Sequence, residues 1–275
     1  MPTAKNILAE NLNAEFAAEI SELRMSFNDK DYVLDGVNLK IPHGEITVII
    51  GFSGTGKSVL LKLILGLLKP TSGSIKVFGE EITQMNEDQI LELRQHYGML
   101  FQDSALFDDM TAIENVVFPL LEHRHKLTEA QMIETARARL KDAGLDEAHY
   151  EKLPSEMSGG MRKRVALARA LVLDPEILIY DEPTTSLDPV LTVMVDELIM
   201  KTEGLKKGTT SLIVSHDLYG AFHMASHVAM LDSGKVLLYG TPEDFMNSDI
   251  ELVKKFVNQG LHRQVGAEYS NDVAP

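Results

Sequence analysis

Gly51-Phe52-Ser53-Gly54-Thr55-Gly56-Lys57-Ser58 has the residue types and spacing of a loop that cradles nucleotide phosphates. Successive backbone N–H groups and the positive end of a following helix would meet the anion. Lys57 would reach the β- and γ-phosphates, and the Ser58 hydroxyl would hold Mg²⁺. Glycines are needed because the backbone must approach the phosphates in conformations closed to other residues. A second set, Asp181-Glu182, ends the apolar run Ile177–Tyr180. Carboxylates at the C-terminal end of a buried strand lie where ligands bind in open parallel sheets. Asp181 suits the Mg²⁺ shell through water, and Glu182 suits a general base that polarises the attacking water. Gln102, just after Met99-Leu100-Phe101, is a candidate contact to Mg²⁺ or to that water. His216, just past the apolar run ending at Val214, is a candidate sensor of the γ-phosphate.

Ser158-Gly159-Gly160 offers a third anion-facing element, a hydroxyl and two glycines opening a helix. Read alone it is a Ser N-cap followed by a glycine pair. One chain hardly needs two anion sites for one nucleotide, so the second makes sense if it caps a nucleotide held by another copy.

The elements that must position these residues alternate between strand and helix. The β-branched run Ile46–Ile50 predicts a buried strand before the phosphate loop, and Val59–Leu65 a helix after it. Residues 1–18 read as a helical or loose lead-in. Strands are expected over Ile20–Phe27, Val33–Ile41, Ile75–Phe78, Met99–Phe101 and Thr210–Ser215. Asp232-Ser233-Gly234 predicts a hairpin turn. From about 103 to 160 the pattern becomes helical, with a capping box at Thr128-Glu129-Ala130-Gln131. A helix from Ser158 to Leu173 is stopped by Asp174-Pro175, and another is expected near Leu191–Lys201. The pattern is that of an α/β fold with a mainly parallel sheet and an inserted helical subdomain. His223 and His227, four apart on an expected helix, read as surface or packing residues rather than metal ligands. The run Arg162-Lys163-Arg164 reads as a charged outer face.

The net charge of −15 argues against DNA or RNA as a main partner, because such affinity rests on clustered Lys and Arg. No cysteine is present, which excludes disulfides and thiolate metal sites. The longest apolar run, Val59–Leu68, is broken by Lys62 and Gly66 and is too short to span a bilayer. The chain is expected to be cytoplasmic, with any membrane crossing left to another subunit.

These elements, in this order and over about residues 20 to 245, resemble the nucleotide-binding subunits of ABC transporters. In that family's terms Gly51–Ser58 is the Walker A loop, Gln102 the Q-loop and Ser158–Met161 the signature. Asp181 and Glu182 are the end of Walker B, Ser186-Leu187-Asp188 the D-loop and His216 the switch histidine. The resemblance implies a RecA-like P-loop core with an antiparallel β portion, ATP and Mg²⁺ as ligands, and ATP hydrolysis. It also implies a head-to-tail dimer in which one copy's Walker A faces the other's signature. Met157 and Met161 stand where Leu and Gln usually flank Ser-Gly-Gly. The adenine-stacking aromatic is not clear, with Phe27 the candidate and Tyr32 the alternative. Ala105–Thr111, Glu114–Val116, Phe118–Leu120 and Leu121-Glu122-His123 resemble the Mla/Mkl branch, as does Ser-Gly-Gly-Met. That branch implies phospholipid transport in a Gram-negative envelope, with the chain peripheral on the inner membrane through a permease. A lipid-binding substrate subunit and a small STAS-domain protein are further implied partners. On this reading residues 19–255 are the ATPase domain and 256–275 a tail that either clasps a neighbouring subunit or is disordered. The alternatives are the same motor with an amino-acid or drug cargo, and a non-transport ABC ATPase.

Overall fold

The computed structural model describes residues 15–28, 30–184 and 208–259, and seven further residues of a helix between 192 and 200. The described residues divide into two compact units, one within 86–211, the other within 15–85 and 212–259.

The second unit opens with a four-stranded antiparallel sheet. β1 (Phe16–Ser26) pairs with β2 (Tyr32–Pro42) on one side and β4 (Ser72–Val77) on the other, and β5 (Glu80–Glu81) follows β4. β1 starts four residues before the expected Ile20. Ala17 and Ala18 have low strand propensity, but both are buried, and Ala18 pairs with Ile41 and with Val77. Tertiary pairing overrides local preference there. β3 (Ile46–Ile50) has all five residues buried, and α1 (Lys57–Ile64) follows the phosphate loop.

The first unit then begins. α2 (Glu87–Arg94) is closed by an Asn86/Gln89 capping box, and β6 (Tyr97–Leu100) precedes the helical part. That part contains α3 (Ala112–His123), α4 (Glu129–Asp142) and α5 (Gly159–Leu171). Thr111 and Glu114 box the start of α3, and Thr128 and Gln131 box α4 as the sequence predicts. The apolar spacing closes the bundle: Ala112, Val116 and Leu120 face Ala136 and Leu140 in one buried cluster with Val165 and Ala168. Asn115, fully buried on α3, satisfies the loop before it. Its Oδ1 accepts from Phe107 N at 2.9 Å, while its Nδ2 donates to the carbonyls of Phe107, Met110 and Thr111. β7 (Ile177–Asp181) runs parallel to β6, Tyr97 against Ile177 through Leu100 against Tyr180. α5 lies directly on β6: a Cβ placed on Gly98 would stand 2.4 Å from the Ala170 carbonyl oxygen and 2.7 Å from Leu178 Cδ2.

β8 (Thr210–Val214) carries the chain from the first unit back to the second. There α6 (Leu218–Met224), β9 (His227–Asp232), β10 (Lys235–Gly240) and α7 (Pro242–Met246) follow. β9 is parallel to β3 and forms the expected hairpin with β10 across Ser233 and Gly234, both at positive φ. Residues 251–259 are helical, so the sequence-expected tail boundary at 256 falls inside a helix.

Two surface expectations are corrected. His223 and His227 do not share a helix face, because α6 ends at Met224 and His227 opens β9. His227 instead stacks on Tyr239, with Nδ1 3.0 Å from Glu45 Oε2. Burial, helped by the Glu45 charge, raises the Tyr239 hydroxyl to about 12. Arg162-Lys163-Arg164 is no solvated outer face. Lys163 is only 4% exposed, and Arg164 donates to the Ala143 and Gly144 carbonyls.

Because the Ala170 carbonyl is backbone and cannot swing aside, Gly98→Val is expected to destabilise the protein by about 3 kcal/mol or more. Thermal melting of the purified variant, which should fall by several degrees, checks this.

Candidate nucleotide site

In the second unit the phosphate loop follows from a buried strand that must stop. Gly51 sits at φ 150°, and a Cβ on it would stand 2.2 Å from the Leu231 carbonyl oxygen of β9. Only glycine allows this loop to leave β3 beside β9. Gly56, at φ 102°, occupies the N-cap of α1 and brings no side chain to its first amides, which leaves that helix end suited to an anion. Lys57 is 8% exposed, and its Nζ donates to the carbonyls of Gly51 at 2.8 Å and Phe52 at 3.0 Å. Its ammonium therefore stands over the loop. Thr55 Oγ1 donates to Phe52 O at 2.9 Å, Gly54 faces open space, and Ser53 and Ser58 are exposed.

β2 passes close to this loop, since a Cβ on Gly56 would lie 2.7 Å from Leu34 Cδ2 and 3.1 Å from Val33 O. Phe27 and Tyr32, on the β1–β2 hairpin, are 64% and 50% exposed. An Asx turn holds that hairpin, with Asn28 Oδ1 accepting from the amides of Lys30 and Asp31. His216 is exposed just after β8. Its neighbours are pinned: Ser215 N donates to Ile49 O of β3, Ser215 Oγ accepts from Asp217 N, and Asp217 caps α6. His216 thus stands at the end of β3 from which Gly51 departs.

In the first unit the parallel register of β6 and β7 releases two loops at one end. Gln102 lies two residues beyond Leu100, and Glu182 two beyond Tyr180. Glu182 adopts φ 50°, the left-handed region that costs a non-glycine residue about 1–2 kcal/mol. Phe78 and Ser233, just past β4 and β9, share that region, so the strain by itself assigns no role. Ser158 Oγ accepts from Met161 N at 3.3 Å, capping α5 as either reading of the sequence requires. A Cβ on Gly159 would find nothing nearer than Arg162 at 4.0 Å, so the helix opens toward space.

Sequence reasoning named Glu182 but not its left-handed backbone, and it missed the buried role of Lys163. The second had a signal: Gly160, Lys163, Leu167 and Leu171 recur at helical spacing, and all four are buried. It also missed Phe256, whose ring meets Phe52 of the phosphate loop edge-on at 5.1 Å. Ser186-Leu187-Asp188, the lead-in before residue 15 and the tail after 259 lie outside the described residues.

Residues 34–185 match the family described as ABC transporter. The chain belongs to that family. It is 42% identical over 257 residues to the probable ribonucleotide transport ATP-binding protein mkl of Mycobacterium leprae, covering 93% of this chain and 73% of that protein. It is 39% identical to the intermembrane phospholipid transport system ATP-binding protein MlaF of Haemophilus influenzae, covering 86% and 88% of the two chains. A solved ATP-binding cassette, dimeric in a post-hydrolysis state with ADP and phosphate, superposes with a TM-score of 0.74. That alignment is 31% identical and covers 82% of this chain and 98% of that one. The chain is an ABC transporter ATPase. Among the described residues no helix is long and apolar enough to cross a membrane.

Since the Gly51 contact is with backbone, Gly51→Ala is expected to weaken binding of a fluorescent ATP analogue by about 100-fold. A titration followed by fluorescence anisotropy measures it, with the melting temperature as the check on folding.

Proposed function

We propose that this ATPase powers phospholipid transport between the membranes of a Gram-negative envelope. The observation that carries this reading is the 39% identity to the Haemophilus phospholipid subunit over most of both chains. The site residues support the motor half of the proposal. Gly51–Ser58 takes the triphosphate through backbone amides and Lys57, and Phe27, or else Tyr32, stacks on adenine. Ser58, Asp181 and Gln102 each offer the hard oxygen that Mg²⁺ prefers. Bound Mg²⁺ would neutralise charge on the phosphate oxygens.

Glu182 accepts a proton from the attacking water, and His216 orients that water against the terminal phosphoryl group. Ser158, Gly159 and Gly160 of a second copy close the pocket by presenting a capped helix start to the same phosphates. The chain works from the cytoplasm, peripheral on the inner membrane through the permease. A lipid-binding substrate subunit and a small STAS-domain protein complete the assembly, and nucleic acid is no partner of so acidic a chain. A second reading, the same motor with a nucleotide cargo, is favoured by the 42% identity to the mycobacterial protein named for ribonucleotide transport.

Glu182→Gln is expected to lower ATP turnover by about 100-fold or more while ATP-dependent dimerisation persists. Phosphate release and size-exclusion chromatography read the two effects, and undiminished release would assign the base elsewhere. Phe27→Ala is expected to raise the KM for ATP by about tenfold with kcat little changed, the size of one lost stacking contact. The same result from Tyr32→Ala instead would move the stacking role to Tyr32. For the cargo, the complex purified from membranes with its permease should carry phospholipid by mass spectrometry. A permease that retains nucleotide and no lipid would overturn the phospholipid reading in favour of the second.

A further inference from the structure

α5 does more than present Ser158. Lys163, one turn into the helix and 4% exposed, donates from Nζ to the Phe101 carbonyl at 3.2 Å and to the Gln102 carbonyl. Arg169, six residues on, spreads its fork over the next carbonyls, NH2 to Ser104 O at 2.8 Å and NH1 to Ala105 O at 2.7 Å. The Phe107 ring lies 5.9 Å from the same guanidinium. Four carbonyls of the segment that carries Gln102 are therefore held by two cations of one helix. Ser104 and Ala105 stand at φ 64° and 47°, the left-handed region that L side chains disfavour. Consecutive residues in that region persist only where surrounding structure holds them, and Arg169 holds both carbonyls. Burial lowers the pKa of Lys163, opposed by the nearby Asp103 charge, and burial lowers that of Arg169. A purely packing role at position 163 would be served by Met or Leu without burying an ammonium.

We propose that Lys163 and Arg169 are positioning residues for Gln102, tying its loop by four backbone carbonyls to the helix that Ser158 opens. This rests on Gln102 having the catalytic role given above. The consequence is mechanical. Whatever engages the start of α5 shifts the Gln102 loop with it, and whatever presses on that loop is felt at Ser158, with no contact between either cation and nucleotide.

The test uses Lys163→Met, Lys163→Arg, Arg169→Lys and Gln102→Ala, with exposed Lys126→Met as control, in the full-length protein. Lys163→Met and Arg169→Lys are each expected to lower kcat about tenfold while the KM for ATP stays within about twofold. Lys163→Arg should recover most of the loss, because its charge still reaches a carbonyl. Amide hydrogen exchange over residues 102–106 should speed by about tenfold in both variants and stay unchanged in α3 and α4. Unchanged exchange over 102–106 would overturn the clamp. So would faster exchange with normal kcat, if Gln102→Ala is itself impaired. Full turnover by Gln102→Ala would instead remove the role assigned to Gln102, and the exchange data alone would then decide whether the clamp exists. If Lys163→Met fails to fold, Arg169→Lys, which keeps its charge, carries the same comparison.

Discussion

A buried strand can place chemistry only where it ends. β3 is buried at every residue and β7 at all but its last, so the polar groups inside them, those of Thr47 and Tyr180, are shut off from water and from any ligand. The positions proposed to do the chemistry are displaced to the exits: Gly51 after β3, Gln102 after β6, Asp181 and Glu182 at the end of β7, His216 after β8. Within the first unit the parallel register makes this displacement useful. Leu100 and Tyr180 are paired, so the loops that leave them start side by side, and two residues of chain suffice to bring a carboxamide and a carboxylate to one end.

Those exits are also where the backbone departs from ordinary conformations. Gly51 at 150°, Glu182 at 50°, and Ser104 and Ala105 at 64° and 47° mark three of the loops proposed to serve the chemistry. Two of them are held by contacts that can be named. Leu231 O excludes any side chain at Gly51, and Arg169 grips Ser104 and Ala105. The strain has a purpose that secondary structure cannot serve, since amides aligned in a helix or ladder already have partners and cannot face a ligand.

How much of this could be read in advance follows from the range of the interactions. Signals carried by a few adjacent residues were legible: the phosphate loop between a strand and a helix, the Thr128 box, the Ser158 cap, the hairpin at Ser233-Gly234. What escaped depends on partners far along the chain. Ala17 and Ala18 become strand because Ile41 and Val77 lie beside them, and Lys163 is buried because carbonyls about sixty residues earlier receive it. His227 was placed on a helix because its spacing from His223 fits one, yet pairing with Thr47 of β3 draws that residue into a strand. Periodicity reports faces well, but not what covers them.

Lys57 and Lys163 show how one device yields two behaviours. Both are buried lysines whose ammonium donates to two consecutive carbonyls of a functional loop, Gly51 and Phe52 in one unit, Phe101 and Gln102 in the other. A carbonyl carries only a partial charge, so a phosphate is the stronger acceptor wherever it can enter. Lys57 lies within its own open loop, beside exposed Ser53 and unobstructed Gly54, and its carbonyl bonds can yield to an anion. Lys163 joins two separate elements, with the body of α5 on one side and the loop on the other. Exchanging its partners would undo the packing that buries it. The first lysine is therefore suited to bind and the second to transmit, and the difference lies in which segment of chain supplies the carbonyls.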